Sequence, residues 1–373
     1  MKKGVILFLT VIFVLSFSLI SLGEDVVKIG VIFPMTGPFA AYGQMANESL
    51  KLAQELRPTV LGKPVKLILL DNKSDKVEAA NTASRLVEKE HVVAVIGPLT
   101  SSLSMAAGPI LEKAKIPMMS PYATNPLVTQ GKKFIFRACF IDPFQGKVAA
   151  KFAIGYLKVK TAALLTDISQ DYCVGLVNFF EKNFKQMGGK IVSKTFCKTG
   201  DQDFSAQLTS IKSKNPDLIY MPNYYAEDAL IAKQAKVMGI KAALLSGDAA
   251  DAPEIIDVGG DAVNGLYFTT HFDEKAVKSK LGKEYLKLYH KTFKKEANTV
   301  GALTFDAYYM VLDAIERAGS LDTVKIRDAL SATKNFEGVT GTITIDEHGN
   351  AVKSAVIKKI QNGKFKFVTV VNP

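Results

Sequence analysis

The chain has 373 residues, a formal net charge of +11, three cysteines and four histidines. This length exceeds what one hydrophobic core usually holds, so it predicts two domains. The positive charge raises nucleic acid and anionic membrane as partners, but the lysines are scattered singly and no aromatic-rich basic strand accompanies them. We therefore expect a solvated, lysine-rich surface and no nucleic-acid partner.

Residues 1–23 have the pattern of a secretory signal peptide. Two lysines follow Met1, an apolar run covers residues 4–22, and Ser21-Leu22-Gly23 is a small-x-small cleavage sequence. Because the apolar run is long, an uncleaved anchor is the alternative, but no later segment reaches the roughly 18 uncharged apolar residues of a membrane span. No cysteine follows the run, so a lipid-modified N-terminus is not indicated. The pattern predicts an exported, soluble periplasmic protein.

Strands and helices then alternate along the first part of the chain. Residues 92–96 are continuously apolar and β-branched and stop at Gly97-Pro98, which is typical of a strand buried on both faces of a parallel sheet. The same reasoning predicts strands at 26–33, 65–70, 92–96, 116–120 and 134–137, and helices at 40–56, 76–90 and 101–114.

A second series of the same kind follows. It has strands at 161–165, 190–196, 218–221, 243–246 and 266–270, and helices at 147–156, 171–187, 204–213 and 227–238. Two successive series of alternating strands and helices predict an α/β protein with two doubly wound, Rossmann-like lobes.

The pattern changes after residue 270, which indicates that the chain passes between the lobes more than once. Long helices are predicted at 275–293, 301–318 and 324–332, and strands at 341–346, 355–360 and 365–370, with hairpin turns at 346–350 and 362–363. We expect crossings near Asp142, Thr270 and Gly338. The predicted N-terminal lobe comprises residues 24–141 and 272–337, and the C-terminal lobe comprises residues 142–271 and 338–373. Several crossings predict a hinge.

Two polar loops follow neighbouring strands of the first series. Thr100-Ser101-Ser102 stands at the start of a helix, and residues 121–126 form a rigid turn after the next strand. The carboxyl ends of such strands face one crevice, and a helix N-terminus beside a serine hydroxyl suits a small carboxylate. The alternative is that these hydroxyls only cap the helix.

The cysteines and histidines do not predict a catalytic or metal site. The cysteines match no metal-ligand spacing: Cys139, Cys173 and Cys197. In an oxidising compartment they allow at most one disulfide, and we choose Cys173 with Cys197 because both fall at predicted loop edges. The histidines are scattered without partners, and we expect each at the surface: His91, His271, His290 and His348.

With these positions placed, nearly all of the chain after the signal peptide resembles the periplasmic branched-chain amino-acid-binding proteins of ABC importers. The resemblance rests on the order and spacing of several short motifs: residues 29–38 with Tyr42-Gly43, Ile96-Gly97-Pro98 with Ser101-Ser102, residues 120–126, Asp203-Phe204-Ser205 before a helix, and Gly247-Asp248. It implies the type I periplasmic-binding fold, in which two lobes are joined by three hinge crossovers. Members of this family also take amides, aromatic acids and other small metabolites.

The resemblance also implies which residues would bind an amino acid. Ser101 and Thr124 match the residues that bind the ligand carboxylate, with hydroxyls and adjacent N–H groups. The carbonyl of Ala123 and the side chain of Asp248 match the groups that take the ammonium. The family often has Glu at the position of the shorter Asp248, so the ammonium would be held through water or by a shifted loop.

Three tyrosines match the aromatic walls of the family's site: Tyr42, Tyr172 and Tyr224. Aromatic faces provide apolar area together with a polar group. The alternative for them is ordinary packing or surface exposure. Enteric relatives have a cysteine pair near the serine loop, but Thr100 stands in its place here, so that disulfide is not implied.

The sequence is thus identified as a member of a family of binding proteins. The resemblance implies a monomer that captures free leucine, isoleucine or valine and delivers it to the membrane permease of an ABC importer, with no cofactor, no metal and no catalysis. A different small ligand and a role as a sensor for a membrane receptor stay open. An enzyme acting on a small acid is disfavoured, because the predicted cleft has no His or Cys beside a serine, no glutamate pair and no metal-ligand set.

Overall fold

The structure of the chain, a computed structural model, describes residues 26–373, and the predicted signal peptide lies outside these residues. Within them the strands are β1 (Val27–Phe33), β2 (Thr59–Val60), β3 (Lys63–Asp71), β4 (Ala94–Ile96), β5 (Met118–Ser120), β6 (Ile135–Arg137), β7 (Thr161–Asp167), β8 (Lys190–Cys197), β9 (Leu218–Tyr220), β10 (Ala243–Ser246), β11 (Tyr267–Thr270), β12 (Phe336–Gly338), β13 (Gly341–Ile345), β14 (Ala351–Val352), β15 (Ala355–Gln361) and β16 (Lys364–Val371). The helices are α1 (Ala40–Leu56), α2 (Lys76–Arg85), α3 (Ser101–Lys113), α4 (Asp142–Gly155), α5 (Asp171–Gln186), α6 (Ser205–Lys214), α7 (Tyr225–Val237), α8 (Glu254–Gly259), α9 (Lys280–Phe293), α10 (Thr299–Ala318) and α11 (Thr323–Ser331).

The first lobe is built on a six-stranded sheet with the order β2-β3-β1-β4-β5-β6. Its strands run parallel from β3 to β6, and the short β2 pairs antiparallel with β3. Strands β4, β5 and β6 are buried along their whole length, as expected for strands covered on both faces. The strand order reverses beside β1, so the carboxyl ends of β1 and β4 flank a crevice of the kind in which doubly wound sheets bind ligands.

The second lobe is built on a seven-stranded sheet with the order β16-β15-β11-β10-β9-β7-β8. Strands β7 to β11 pair in parallel, and the β15–β16 hairpin joins the sheet antiparallel to β11. The order reverses beside β7, which creates a second crevice at the carboxyl ends of β7 and β9. The predicted fold class, two doubly wound α/β lobes, is confirmed.

Most predicted elements are present, with differences that have local causes. Helix α4 begins at Asp142, before the predicted residue 147, because Pro143 in its first turn is compatible with a helix start. The helix predicted at 275–293 is divided: a short 3-10 turn ends at Ala276, and Ser279 then caps a new helix by accepting a hydrogen bond from the backbone N–H of Gly282. The predicted hairpin turn at Asn362-Gly363 is confirmed, and both residues have positive φ, as a tight hairpin turn requires.

Strands β12, β13 and β14 form a small antiparallel sheet of their own. Asp306 in α10 accepts hydrogen bonds from the backbone N–H groups of Val339 at 2.6 Å and Thr340 at 2.9 Å. On the other side, the backbone N–H of Arg137 donates to the carbonyl of Gly349 at 3.1 Å. Residues 336–352 are therefore bonded to α10 and β6, and the chain enters the second sheet only at β15.

The predicted disulfide between Cys173 and Cys197 is wrong. Both cysteines are free and buried, as is Cys139. Cys173 lies within α5 and Cys197 is the last residue of β8, so neither is on a loop. Sequence spacing could not show this, because it does not give the direction in which a side chain points. Among residues 26–373, no helix combines the length and the apolarity needed to cross a membrane.

Candidate functional site

Residues that follow strands of both sheets line one small cavity. It is lined by residues of both lobes: Leu99, Thr100, Ser101, Tyr122, Tyr172, Tyr224, Asp248 and Ala249. Four predicted site residues are therefore brought together: Ser101, Tyr172, Tyr224 and Asp248. The cavity volume is about 10 Å³, which is room for about one water molecule. A larger ligand requires the two walls to move apart.

One end of the cavity carries hydroxyl groups at the start of α3. Thr100 is the N-cap residue of this helix, but its side chain makes no capping hydrogen bond. The hydroxyl of Ser101 accepts a hydrogen bond from the backbone N–H of Asn125 at 3.1 Å and so joins the two predicted polar loops. The hydroxyls of Thr100 and Thr124 are buried, that of Thr100 beside the Tyr224 hydroxyl and that of Thr124 beside the buried carboxyl group of Asp142, and Thr124 does not line the cavity. This end therefore presents hydroxyl donors and a helix N-terminus, which together suit an anion.

The loop that holds Ala123 and Thr124 is fixed by Arg137, the last residue of β6. The fully buried guanidinium donates to the carbonyls of Ala123 at 2.6 Å and Asn125 at 2.9 Å, and to the hydroxyl of Thr129 at 3.0 Å. The Ala123 carbonyl is thus already bound to a cation, and its role towards a ligand ammonium stays a prediction. The sequence analysis did not select Arg137, although a charged residue that closes an apolar strand was a usable signal.

Asp248 lines the cavity from the second lobe. It begins a short turn after β10 and is buried, with 1% of its surface exposed. One carboxylate oxygen, Oδ1, accepts hydrogen bonds from Gln145 Nε2 at 2.7 Å and from the Tyr172 hydroxyl at 2.8 Å. The other oxygen, Oδ2, lies 3.0 Å from His271 Nε2. Gln145 was also missed by the sequence analysis, because α4 was predicted to start two residues after it.

The prediction that His271 lies at the surface is wrong. The residue follows β11 directly, where the chain leaves the second sheet, and only 1% of its surface is exposed. Burial lowers the pKa of His271 to about 4, so the imidazole is neutral at pH 7. We assign the Nε2 proton to His271, because its partner Asp248 is an acceptor. No spacing motif marked this histidine, since its burial depends on how the two lobes meet.

Three tyrosines line the cavity, Tyr122, Tyr172 and Tyr224, and Tyr42 packs against two of them without lining it. The ring of Tyr224 lies 5.6 Å from that of Tyr172 and 6.0 Å from that of Tyr42, measured between centroids. The hydroxyl of Tyr42 donates to the carbonyl of Ala249 at 2.5 Å, and that of Tyr122 donates to the carbonyl of Asp248 at 2.5 Å. First-lobe tyrosines therefore contact the backbone of the second lobe. Burial raises the pKa of these tyrosines, so their hydroxyls stay protonated.

At the rim of the cleft, Asp171 at the start of α5 connects the lobes. Its carboxylate accepts hydrogen bonds from Ser102 at 2.9 Å and from Lys76 at 3.1 Å. Partial burial alone would raise the pKa of Asp171, but these bonds lower it below its usual value. These contacts at the rim add to those that Tyr42 and Tyr122 make between the lobes.

The geometry offers binding groups and lacks the arrangement of a nucleophilic catalyst. A catalytic triad needs a histidine base and an acid that orients it, and His271 with Asp248 could fill these two roles. The nucleophile would have to bond to the other ring nitrogen, Nδ1. Among residues 26–373, Nδ1 of His271 has no hydrogen-bond partner, so no serine or cysteine occupies that place. In the same part of the chain, no cluster of His, Cys, Asp and Glu has the geometry of a metal site. Once its walls move apart, the cleft offers an anionic group, Asp248, and hydroxyl donors at the start of α3 to a small molecule.

Known proteins match this sequence over almost the whole chain. A family model described as periplasmic binding protein matches residues 26–364. The chain is 31% identical over 363 residues to the Leu/Ile/Val-binding protein BraC3 of Rhizobium johnstonii, and the match covers 95% of this chain and 97% of that relative.

Two solved structures are also similar. A leucine binding protein, LivK, from Thermotoga maritima has 50% sequence identity and a TM-score of 0.92, covering 93% of this chain and 99% of its own. The branched-chain amino acid transporter substrate binding protein LivJ from Streptococcus pneumoniae, solved in complex with isoleucine, has 34% identity and a TM-score of 0.88, covering 94% of this chain and 100% of its own.

Proposed function

Because the chain belongs to the periplasmic binding protein family, we propose that it binds a free branched-chain amino acid in the cleft between its lobes and delivers it to an ABC permease. The observation that carries this proposal is the charge pattern of the cavity. The buried carboxylate of Asp248 lines the cavity from the second lobe, and Thr100 and Ser101 at the start of α3 line it from the first. A zwitterionic amino acid matches this pattern, with its ammonium at Asp248 and its carboxylate at Ser101 and Thr124.

The ligand carboxylate would be held without a cationic side chain. The N–H groups at the start of α3 and the buried hydroxyls of Thr100 and Thr124 would supply the donors. The ligand ammonium would lie at Asp248, and its aliphatic side chain would pack on Tyr42, Tyr172 and Tyr224. Three relatives whose names state a ligand bind leucine, isoleucine or valine, which supports a branched aliphatic side chain.

Binding would require the lobes to open and close. Ser101 and Thr124 belong to the first lobe, and Asp248 belongs to the second, so only a closed cleft brings both ends of one ligand into contact. A ligand with that requirement binds the closed state more tightly and shifts the population towards it. The closed state would then present the permease with a composite surface that the open state lacks.

We also propose the division of the chain that this motion needs. The first lobe would comprise residues 24–141 and 272–352, and the second would comprise residues 142–271 and 355–373. The bonds of residues 336–352 to α10 and β6 support a third crossing after β14, rather than near Gly338. Family membership supports a location outside the cytoplasm, and we keep the predicted signal peptide and the monomeric state as part of the proposal.

A ligand screen tests the proposal. The mature chain is heated with each of the twenty amino acids, and every ligand that raises the melting temperature is then titrated by calorimetry. A ligand at a hundred times its Kd stabilises the folded state by about 2.7 kcal/mol. Leucine, isoleucine or valine should therefore raise the melting temperature by several degrees, and leucine methyl ester should bind worse than leucine. Absence of any shift with branched-chain amino acids would overturn the proposal.

A further inference from the structure

We infer that His271 is a positioning residue that makes the cleft specific for ligands with a free ammonium group, an inference that rests on the proposed function. Its role is to hold Asp248 through a hydrogen bond while leaving the negative charge of that carboxylate uncompensated. His271 would not touch the ligand itself.

The hydrogen bonds of Asp248 leave one acceptor direction free. A carboxylate offers about four acceptor directions, two on each oxygen. Gln145 and Tyr172 both donate to Oδ1, and His271 donates to Oδ2. The remaining direction therefore belongs to Oδ2, the oxygen whose position His271 fixes. Since Asp248 lines the cavity, a single N–H group of a ligand can complete its shell.

All three donors to Asp248 are neutral. Gln145 and Tyr172 carry no charge, and the buried imidazole of His271 is neutral at pH 7 because burial lowers its pKa to about 4. Among residues 26–373, no lysine or arginine forms an ion pair with Asp248; its one charged-type contact is His271. A buried anion with neutral donors is stabilised in position and orientation but still lacks a cation, and a ligand ammonium supplies that cation.

The imidazole belongs to the second lobe and packs against two aromatic rings of the first lobe. It stacks on Phe140, with ring centroids 3.7 Å apart, and Phe140 lies just before the first predicted crossing. The ring of Tyr122, from the first lobe, meets it edge-on at 5.6 Å. The position of His271, and through it that of Asp248 Oδ2, thus depends on packing that is complete when the lobes are closed.

The test compares two ligands that differ only at the ammonium. Leucine and (S)-2-hydroxy-4-methylpentanoate, in which a hydroxyl replaces the ammonium, are titrated by calorimetry into the wild type and into His271→Leu, His271→Asn and His271→Gln. The matched control is His290→Gln, since His290 is exposed and pairs with Glu274 away from the cleft.

Removing the bond to Oδ2 should weaken leucine binding by about tenfold or more, because hydrogen bonds to charged groups contribute strongly. Binding of the hydroxy acid should change by less than about threefold, so His271→Leu lowers the preference for the ammonium ligand. His271→Gln has an amide N–H at a reach similar to that of Nε2 and should restore that preference. His271→Asn is too short for this bond and should behave like His271→Leu, which keeps the test usable if the leucine variant does not fold.

The outcomes separate the two proposals. Equal weakening of both ligands would assign His271 a structural role and overturn this inference, as would unchanged leucine binding in both His271→Leu and His271→Asn. Failure of the wild type to bind any branched-chain amino acid would overturn the proposed function, and with it the role of His271.

Discussion

The hydroxyl of Ser102 in the first lobe donates a hydrogen bond to the carboxylate of Asp171 in the second lobe over 2.9 Å. Lys76 reaches the same carboxylate at 3.1 Å, and the side-chain amide of Asn125 donates to the backbone carbonyl of Asp171 at 2.7 Å. Three first-lobe side chains therefore meet at one second-lobe residue. These contacts break when the lobes separate, so they contribute directly to the equilibrium between open and closed cleft.

The first prediction concerns this equilibrium. Ser102→Ala should weaken leucine binding by about tenfold, because it removes a hydrogen bond to a charged group. Lys76→Ala should weaken it by a factor of about two to five, because the ion pair is half-exposed and screened. Calorimetry measures both affinities, and solution scattering should show a larger radius of gyration for the ligand-free variants than for the ligand-free wild type.

The control for these variants is Lys185→Ala. Lys185 pairs with Glu181 within α5, so its ion pair lies inside one lobe and does not change on opening. It should leave both the affinity and the radius of gyration unchanged. Affinities of Ser102→Ala and Lys76→Ala equal to that of the control would show that Asp171 does not contribute to closure.

The second prediction concerns the charge of Asp248. Asp248→Asn keeps the size of the side chain but removes the charge, and Asp248→Ala also removes the acceptors of three hydrogen bonds. Each should weaken leucine binding by more than about a hundredfold, since an ammonium buried without its anion loses roughly 3–5 kcal/mol. Calorimetry checks the loss, and Asp313→Asn on the exposed face of α10 serves as the control. A loss below tenfold would refute the assignment of the ammonium site.

The third prediction concerns the stability that Arg137 provides. Arg137→Met fills a similar volume but leaves the carbonyls of Ala123 and Asn125 without a donor. We expect the free energy of unfolding to fall by about 3–5 kcal/mol, the range for removing one partner from a buried charged network. Urea denaturation measures the change, and Arg85→Ala, which removes an exposed ion pair, should change it by less than about 1 kcal/mol. Similar values for the two variants would contradict the role of Arg137.

The fourth prediction concerns pH. Burial lowers the pKa of His271 to about 4 in the folded protein; the neighbouring Asp248 raises this pKa and Lys353 lowers it. The ordinary value near 6.5 applies to the unfolded chain, so the unfolded state binds more protons between about pH 4 and 6.5. The stabilising contribution of the neutral His271 is therefore complete above about pH 6.5 and is lost as the pH falls towards 4, by up to about 3 kcal/mol.

The measurement is the difference in unfolding free energy between wild type and His271→Gln, followed from pH 7.5 to pH 4. Comparing the two proteins removes the contribution of other buried groups. One of these is Asp142: burial raises its pKa, so it makes the folded state more stable as the pH falls, the opposite of His271. The wild type should lose more stability on acidification than the variant. Parallel pH profiles would show that His271 does not titrate in this way.

The fold was predictable because its signals are local. Buried parallel strands such as β4 are short apolar runs, and helices such as α1 repeat apolar residues at helical spacing, so each βα unit is visible in a window of about twenty residues. The third crossing was predicted near Gly338, but residues 336–352 bond to α10 and β6. The position at which the chain crosses for the third time depends on contacts between distant parts of the chain, and local sequence patterns do not contain such contacts.

The site was predictable only in part, for the same reason. Ser101 and Asp248 follow strands that could be seen in the sequence, and the family resemblance drew attention to both. Gln145 acts on Asp248, which lies far away along the chain, and the burial of His271 depends on how the two lobes meet, so neither residue is marked by a local pattern. Arg137 closes the apolar strand β6, a local signal that the sequence prediction did not use. The predicted disulfide between Cys173 and Cys197 was wrong for a similar reason, because the spacing of cysteines in the sequence does not give the arrangement of their side chains in the fold.

The cavity of about 10 Å³ between the closed lobes has a consequence for kinetics. That space is too small for an amino acid, so we expect a bound amino acid to leave when the lobes separate, at a rate that cannot exceed the rate of opening. Ligands with different affinities would then share one upper limit on their release. Stopped-flow exchange of leucine, isoleucine and valine should approach a common maximum rate, and Ser102→Ala should raise that maximum because it speeds opening. A membrane partner that holds the lobes apart would accelerate release by the same step.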